Sequence, residues 1–189
     1  MKNIAIFGSG SGSNAENIYN YFSNSTDIRV VLICTNKKDA FIVKRAKKLN
    51  LPIVYTNKGD LNSCFEVLQI MKKYDVDYIV LSGFLLKISP KMISSYPNKI
   101  INIHPSLLPK YGGKGMYGKS VHKAVLENHE TESGITIHFV NQNYDEGKII
   151  LQKSCRISKK ETLDSLEKKI RVLEFAYFPK TIEQIILSN

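Results

Sequence analysis

Apolar positions in the first hundred residues fall into short unbroken runs separated by stretches with helical spacing. Ile4-Ala5-Ile6-Phe7 is the first run, and glycine and serine follow it directly. Helical spacing comes next, near Asn14 to Phe22, and a second strand is predicted over Ile28–Ile33, ending in Thr35-Asn36. Residues 38 to 49 carry Ala40, Ile42, Val43, Ala46 and Leu49 on one side, which predicts a helix. Ile53-Val54-Tyr55 reads as a third strand, residues 60 to 73 as a helix, Tyr78–Leu81 as a fourth strand and Ile100–Ile103 as a fifth. Short, continuously apolar strands alternating with amphipathic helices predict an α/β chain with a mainly parallel, twisted sheet covered on both faces. Such sheets take ligands at the carboxyl ends of their strands.

The second half changes character. Residues 118 to 128 are predicted helical, residues 134 to 140 alternate as a strand, and residues 149 to 157 form another strand after the polar loop 141 to 148. This pair predicts an antiparallel C-terminal part. A last helix is expected from about residue 161 to 187, with Pro179 as a site of kinking. With no internal repeat or break in composition, residues 1–189 are expected to form a single domain.

Composition narrows the classes. The chain has 189 residues, enough to bury a sizeable core without disulfides. Hydrophobic residues make up 43%, too many for a disordered chain. Cys34, Cys64 and Cys155 are widely spaced, with no CxxC pair, so neither a disulfide framework nor a zinc site is expected. The first apolar run is too short for a signal-peptide core, and no run approaches the roughly 18 residues of a membrane span. A cytoplasmic protein with reduced thiols and no membrane partner is the expectation. Lys plus Arg number 27 against 17 Asp plus Glu, a net charge of +10, which favours an anionic ligand.

Two glycine-rich segments invite a phosphate reading. Gly8-Ser9-Gly10-Ser11-Gly12-Ser13-Asn14 leaves the first strand and opens the first helix, where free amides and the helix dipole favour an anion. A plain tight turn is the other reading. A dinucleotide fingerprint would need glycine where Ser13 stands and an acid near Thr35-Asn36-Lys37, so a nicotinamide cofactor is disfavoured. Gly113-Lys114-Gly115-Met116-Tyr117-Gly118-Lys119-Ser120 matches GxxxxGK[ST] in letters. It follows Leu107-Leu108-Pro109-Lys110-Tyr111-Gly112, a proline-broken loop where a P-loop needs a buried strand. A loop that closes over a substrate is expected there instead.

Asn102 and His104 stand two apart at the end of the fifth strand, so both side chains share a face, and Pro105 ends the strand at the sheet's carboxyl edge. Asp145 lies in the polar loop ahead of the last strand. An amide that donates to an oxyanion, an imidazole that moves a proton and a carboxylate that steadies it suit acyl transfer. A hydrogen-bonded histidine at a strand end, with Asp145 as a turn residue, is the alternative from residue types alone.

Ile101-Asn102-Ile103-His104-Pro105-Ser106-Leu107-Leu108-Pro109 resembles the signature of the folate-dependent formyltransferases. Tyr144-Asp145-Glu146-Gly147 resembles the loop that supplies their acid, and Gly10-Ser11-Gly12-Ser13-Asn14 points to the branch that acts on a ribonucleotide. The resemblance covers nearly the whole chain. It implies a Rossmann-like fold and formyl transfer from 10-formyltetrahydrofolate, as cosubstrate, to the amine of glycinamide ribonucleotide in purine biosynthesis. His104 would be the general acid, Asn102 would bind the formyl oxygen, and Asp145 would keep His104 protonated and order a water. Gly12, Ser13 and Asn14 would hold the ribonucleotide phosphate, and Arg171 and Glu174 the glycinamide end. Leu85, Leu86 and Ile88 would wall the folate pocket, and residues 140 to 145, with Val140, Asn141 and Tyr144, would close over the pteridine. The partners implied are small molecules, with no metal, NTP or nucleic acid, and the chain would act as a monomer or homodimer.

Some relatives carry Met-Arg where this chain has Leu85-Leu86, and Lys87 would point away if the segment were extended. His122 and His138 are candidates for a supporting shell, and His129 for an exposed turn. Three other functions compete. A tRNA-directed formyltransferase is expected to need a further C-terminal domain. A formyltetrahydrofolate hydrolase is expected to have an N-terminal regulatory domain and no phosphate loop. A nucleic-acid-binding protein should cluster basic and aromatic residues, whereas Lys44, Arg45, Lys47 and Lys48 read as a solvated helix face.

Overall fold

The computed structural model describes residues 1–188. The elements run β1 (Lys2–Phe7), α1 (Ser13–Phe22), β2 (Ile28–Thr35), α2 (Phe41–Lys48), β3 (Ile53–Tyr55), α3 (Lys58–Ser63), α4 (Phe65–Lys73) and β4 (Val76–Leu81). They continue with α5 (Pro90–Ser95), β5 (Ile100–His104), α6 (Lys119–Glu127), β6 (Glu132–Phe139), β7 (Ile149–Arg156) and α7 (Leu163–Leu187). The strands form one seven-stranded sheet in the order β3-β2-β1-β4-β5-β6-β7. Pairings from β3 to β5 are parallel, and β6 and β7 are antiparallel to their neighbours.

The first apolar run explains the centre. Ile4, Ala5, Ile6 and Phe7 are all fully buried between β2 and β4. Their alternation divides them: Ile4 and Ile6 join a core with α1, α2, α6 and α7, while Ala5 and Phe7 join a second core with α3, α4 and α5 on the other face. Removing an Ile or Phe side chain from water contributes about 1.5–3 kcal/mol, so a strand buried on both faces anchors both layers. Strand order reverses at β1, with β2 on one side and β4 on the other, which opens a crevice at the carboxyl ends of β1 and β4.

Two elements differ from the sequence pattern, and a third, α7, follows it. The helix expected over residues 60 to 73 is interrupted at Cys64, whose φ of 56° ends α3 and begins α4. Its thiol lies 2.6 Å from the Ser89 hydroxyl in a buried pair. Helix α5 was not expected, although Ser89 caps it by accepting from the Met92 amide and Pro90 fills its first position. Helix α7 continues through Pro179. A proline there leaves the Phe175 carbonyl without its i+4 amide, and Asn17 of α1 donates its Nδ2 to that carbonyl at 3.1 Å. Among the described residues no helix is long and apolar enough to cross a membrane.

Candidate active site

The loop after β1 is held by backbone and one hydroxyl. Ser9 donates its amide to Gly83 (3.1 Å) and its Oγ to Asn36 Oδ1 (2.5 Å), and its Oγ accepts from the Leu85 amide (2.9 Å). This one serine joins the ends of β1, β2 and β4. Gly12 has a φ of 71°, and a Cβ there would lie 2.8 Å from Ile42 Cα, so only glycine allows α1 to start this close to α2. No side chain caps α1, and its first amides and positive dipole end face the crevice. Asn14 donates its Nδ2 to Glu174 Oε2 at 2.9 Å, while its Oδ1 is buried without a partner. Burial pushes the Glu174 carboxyl up, against the opposing pull of Asn14 and Arg171. Arg171 itself donates to Glu167 at 2.8 Å.

The antiparallel register of β5 and β6 sets Asn102 opposite His138 and His104 opposite Thr136. His138 Nδ1 lies 2.8 Å from the Phe139 carbonyl, which can only accept, so Nδ1 carries the proton. Nε2 is then the acceptor for Asn102 Nδ2 at 3.0 Å. The second Nδ2 hydrogen is held only loosely, 3.5 Å from Asp145 Oδ1. His104 is buried, and the same reasoning fixes its tautomer: Nε2 donates to the Tyr111 carbonyl at 2.7 Å. Its Nδ1 is left 3.6 Å from Asp145 Oδ2.

Asp145 reaches this point on a left-handed residue, φ 57°, in the β6–β7 loop. Asn141 holds the loop together by accepting from the Asn143 amide (2.9 Å) and donating to the Glu146 carbonyl (3.1 Å). At Gly147 a Cβ would lie 1.7 Å from the Phe139 carbonyl oxygen, so the loop can return to β7 only through glycine. Asp145 Oδ2 also accepts from the Gly113 amide at 2.9 Å. Burial works to raise the Asp145 carboxyl, but the rings of His138 and His104 and the Gly113 amide hold it below the usual carboxylate range. Burial pushes His104 below the usual imidazole range; Asp145 and the Tyr111 carbonyl oppose that, and His138 reinforces it.

Residues 113 to 119 form the far wall of the same cavity, whose volume is about 570 Å³. This segment leaves a loop and not a strand, so its match to a nucleotide-binding pattern is one of letters only. Gly113, Gly115 and Gly118 all have positive φ, and a Cβ at any of them would meet open space. Behind them, Lys119 lies 3.8 Å from Glu167.

A formyl transferase family profile matches residues 2–182. The chain is 41% identical over 175 residues to the chloroplastic phosphoribosylglycinamide formyltransferase of Arabidopsis thaliana, an alignment covering 89% of this chain and 60% of that protein. It is 32% identical over 196 residues to the phosphoribosylglycinamide formyltransferase of Bacillus subtilis, covering 100% of this chain and 97% of that one. The chain thus spans about three fifths of the plant relative and nearly all of the bacterial one. The crystal structure of the Bacillus halodurans phosphoribosylglycinamide formyltransferase superposes with a TM-score of 0.87 at 32% identity, covering 98% of this chain and 95% of that one. This chain belongs to the formyl transferase family.

In this member of the family, Asn102, His104 and Asp145 converge on the cavity, and Gly12, Ser13, Asn14, Arg171, Glu174, Leu85 and Tyr144 line it too. Four residues expected at the folate pocket do not. Ile88 is buried in the core with α3, α4 and α5, and Leu86 and Val140 pack against that core. Asn141 spends its side chain inside its own loop. Lys87 does not point away: its ammonium sits 5.4 Å over the Tyr144 ring at the cavity mouth. Sequence reasoning left His122 in doubt, yet it is buried, lines the cavity, and has an Nδ1 with no partner. Burial pushes it below the usual imidazole range, opposed by Glu167 and aided by His104. His138 and Gly113 complete the set around Asp145.

Proposed function

We propose that residues 1–189 act as one catalytic domain, in the cytoplasm, that transfers a formyl group from 10-formyltetrahydrofolate to the amine of glycinamide ribonucleotide. The convergence of Asn102, His104 and Asp145 in the cavity that also receives the α1 N-terminus carries this reading. The α1 amides would hold the phosphate, and Arg171 lies on the same patch as Glu174. Asn14 Oδ1 and Glu174 offer acceptors to ribose hydroxyls or the amide. Leu85 and Tyr144 would flank the folate.

The substrate amine attacks the formyl carbon, and the carbonyl electron pair moves to oxygen. The Asn102 hydrogen that is held only loosely by Asp145 would turn to the oxyanion as it develops. Asp145 would keep His104 protonated as the general acid and order a water that receives the proton released by the amine. Collapse of the tetrahedral intermediate breaks the bond to N10 of the folate; that nitrogen takes a proton from His104, and the water returns the amine's proton to His104. Most of the acceleration is positional and electrostatic.

The test is tetrahydrofolate release from 10-formyltetrahydrofolate with and without glycinamide ribonucleotide. Release that needs the ribonucleotide and matches formylated product supports the reading. Equal release without it would replace the transferase by a hydrolase, and no release would leave a binding protein.

A further inference from the structure

We propose that Arg45, outside the cavity, is a positioning residue that turns the amides of the first glycine-rich loop toward the ribonucleotide phosphate. The inference rests on that loop as the phosphate site, and part of its test needs no turnover.

The charged run on α2 is not uniform. Lys44, Lys47 and Lys48 are exposed, whereas Arg45 is half-buried and engaged on three sides. Its Nε donates to the Ser11 carbonyl at 3.0 Å, and its Nη1 pairs with Glu16 in the first turn of α1. Its guanidinium sits 5.0 Å from the centre of the Phe41 ring. Arginine suits this place because a planar guanidinium stacks on a ring and still donates from its edge. A residue expected on a solvated helix face therefore reaches back to the loop after β1.

Arg45 shares this task with Ile42, three residues earlier and so on the same face of α2. The Ile42 amide donates to the Gly10 carbonyl at 3.1 Å. Two consecutive carbonyls, those of Gly10 and Ser11, are thus drawn toward α2. Both peptide units are trans, and in a planar trans unit the carbonyl and the following amide point opposite ways. The amides of Ser11 and Gly12 are therefore turned away from α2. Gly10, Ser11 and Gly12 line the cavity and no residue of α2 does, so the amides face the cavity side. Among the described residues neither amide donates a hydrogen bond to the protein. Successive free amides ending in a left-handed residue, here Gly12, make a concave seat for an anion. An independent sign of a ligand lies beside it: Asn14 is only 8% exposed, lines the same cavity, and keeps an Oδ1 with no partner.

The two anchors differ in kind. The Gly10 anchor is backbone and is set by the start of α2. The Ser11 anchor is a single side chain, so it can be removed without rebuilding the helix. Without it the peptide unit between Ser11 and Gly12 is free to rotate, and the Gly12 amide loses its aim. Arg45 does not line the cavity and Glu16 offsets its charge, so it acts by geometry and not by attraction.

The experiment compares Arg45→Met, the Arg45→Met/Glu16→Gln double variant and Lys44→Met, each checked for folding by circular dichroism. Inorganic phosphate is the probe, titrated into the free protein and followed by ¹H–¹⁵N NMR. In the wild type the Ser11 and Gly12 amides should shift saturably. In Arg45→Met the phosphate Kd should rise about tenfold, the scale of one lost charge-assisted hydrogen bond. The double variant keeps the charge balance of the pair and should lose as much. Lys44→Met removes a neighbouring positive charge without touching the loop and should stay within about twofold. In turnover, KM for the ribonucleotide should follow the phosphate Kd, while kcat and KM for the folate stay within about twofold, the mark of lost ground-state binding. Recovery of affinity in the double variant, or an equal loss in Lys44→Met, would show a charge effect and overturn the proposal. So would unchanged affinity in Arg45→Met, or wild-type Ser11 and Gly12 amides that do not respond to phosphate. Failure of the formyl-transfer reading would remove only the kinetic readout and leave the phosphate result standing.

Discussion

Two glycine-rich loops face each other across the cavity, and they differ in what stands behind them. The loop of residues 8 to 14 leaves a fully buried strand, and Gly12 is pressed against Ile42. The loop of residues 112 to 118 leaves a turn, and three of its glycines face open space. We propose the first as an anion cradle, because a rigid strand, a helix start and a close neighbour fix its amides. The second has the letters of a nucleotide loop without that support, and its one fixed contribution is the Gly113 amide on Asp145. Backing, more than glycine content, separates the proposed phosphate loop from the loop proposed to close over a substrate.

Substitutions should separate the two loops, beginning with the most damaging. Gly12→Val places a side chain into the Ile42 backbone at a left-handed residue. We expect kcat/KM for the ribonucleotide to fall by about 100-fold or more, since displacement of roughly 1 Å at a binding loop has that scale. Folate KM should barely change, and steady-state kinetics in both substrates will show whether the loss is confined to the ribonucleotide. Asp145→Asn, at the second loop's anchor, should reduce turnover on the order of tens-fold. It should also lower the pH at which His104 titrates, because removing the carboxylate removes its upward pull on the imidazolium. NMR titration of His104 measures that sign directly, and an upward or absent shift would break the proposed coupling.

Gly113→Ala strains a φ of 96° and moves the amide bonded to Asp145. Left-handed backbone costs an ordinary residue about 1–2 kcal/mol, so a loss of roughly tenfold in kcat is expected. Gly115→Ala has a similar φ of 91° but no such bond, and only about a two- to threefold change is expected if the loop has room to adjust. Equal losses at 113 and 115 would mean that the loop acts by its shape alone.

The smallest effect should come from a control distant from both loops. Glu161 is held at about 2 by Lys169, Ser165 and the Ser158 amide, well below its ordinary 4.5. A depressed carboxyl stabilises the fold above its unfolded value and loses that contribution as pH falls from about 4.5 toward 2. Glu161→Gln should lower the thermal midpoint slightly at pH 7, have no such effect near pH 2, and leave turnover unchanged.

How much could be read in the letters follows the same division. The central strand was legible because Ile4–Phe7 is apolar without interruption, and Asn102 and His104 were placed together by strand period alone. Asp145 was a candidate from residue type, but only the family resemblance tied it to His104, since its loop has no periodicity. The Gly113 amide and the Tyr111 carbonyl were beyond reach because backbone groups leave no signature in residue type. Ile88 went to the core and Val140 against its edge because apolar residues near a pocket are drawn to the larger apolar cluster, and residue type does not say which way they face. His122 carried a signal only in its position three residues after the start of a helix that faces the cavity.

The central claim is that the Asn102–His104–Asp145 cluster performs the transfer. Turnover of Asn102→Ala, measured as ribonucleotide-dependent tetrahydrofolate formation with the fold checked by circular dichroism, tests it most directly. Loss of one oxyanion donor predicts a fall in kcat on the order of 100- to 1,000-fold. Near-normal turnover in a folded Asn102→Ala protein would contradict the account.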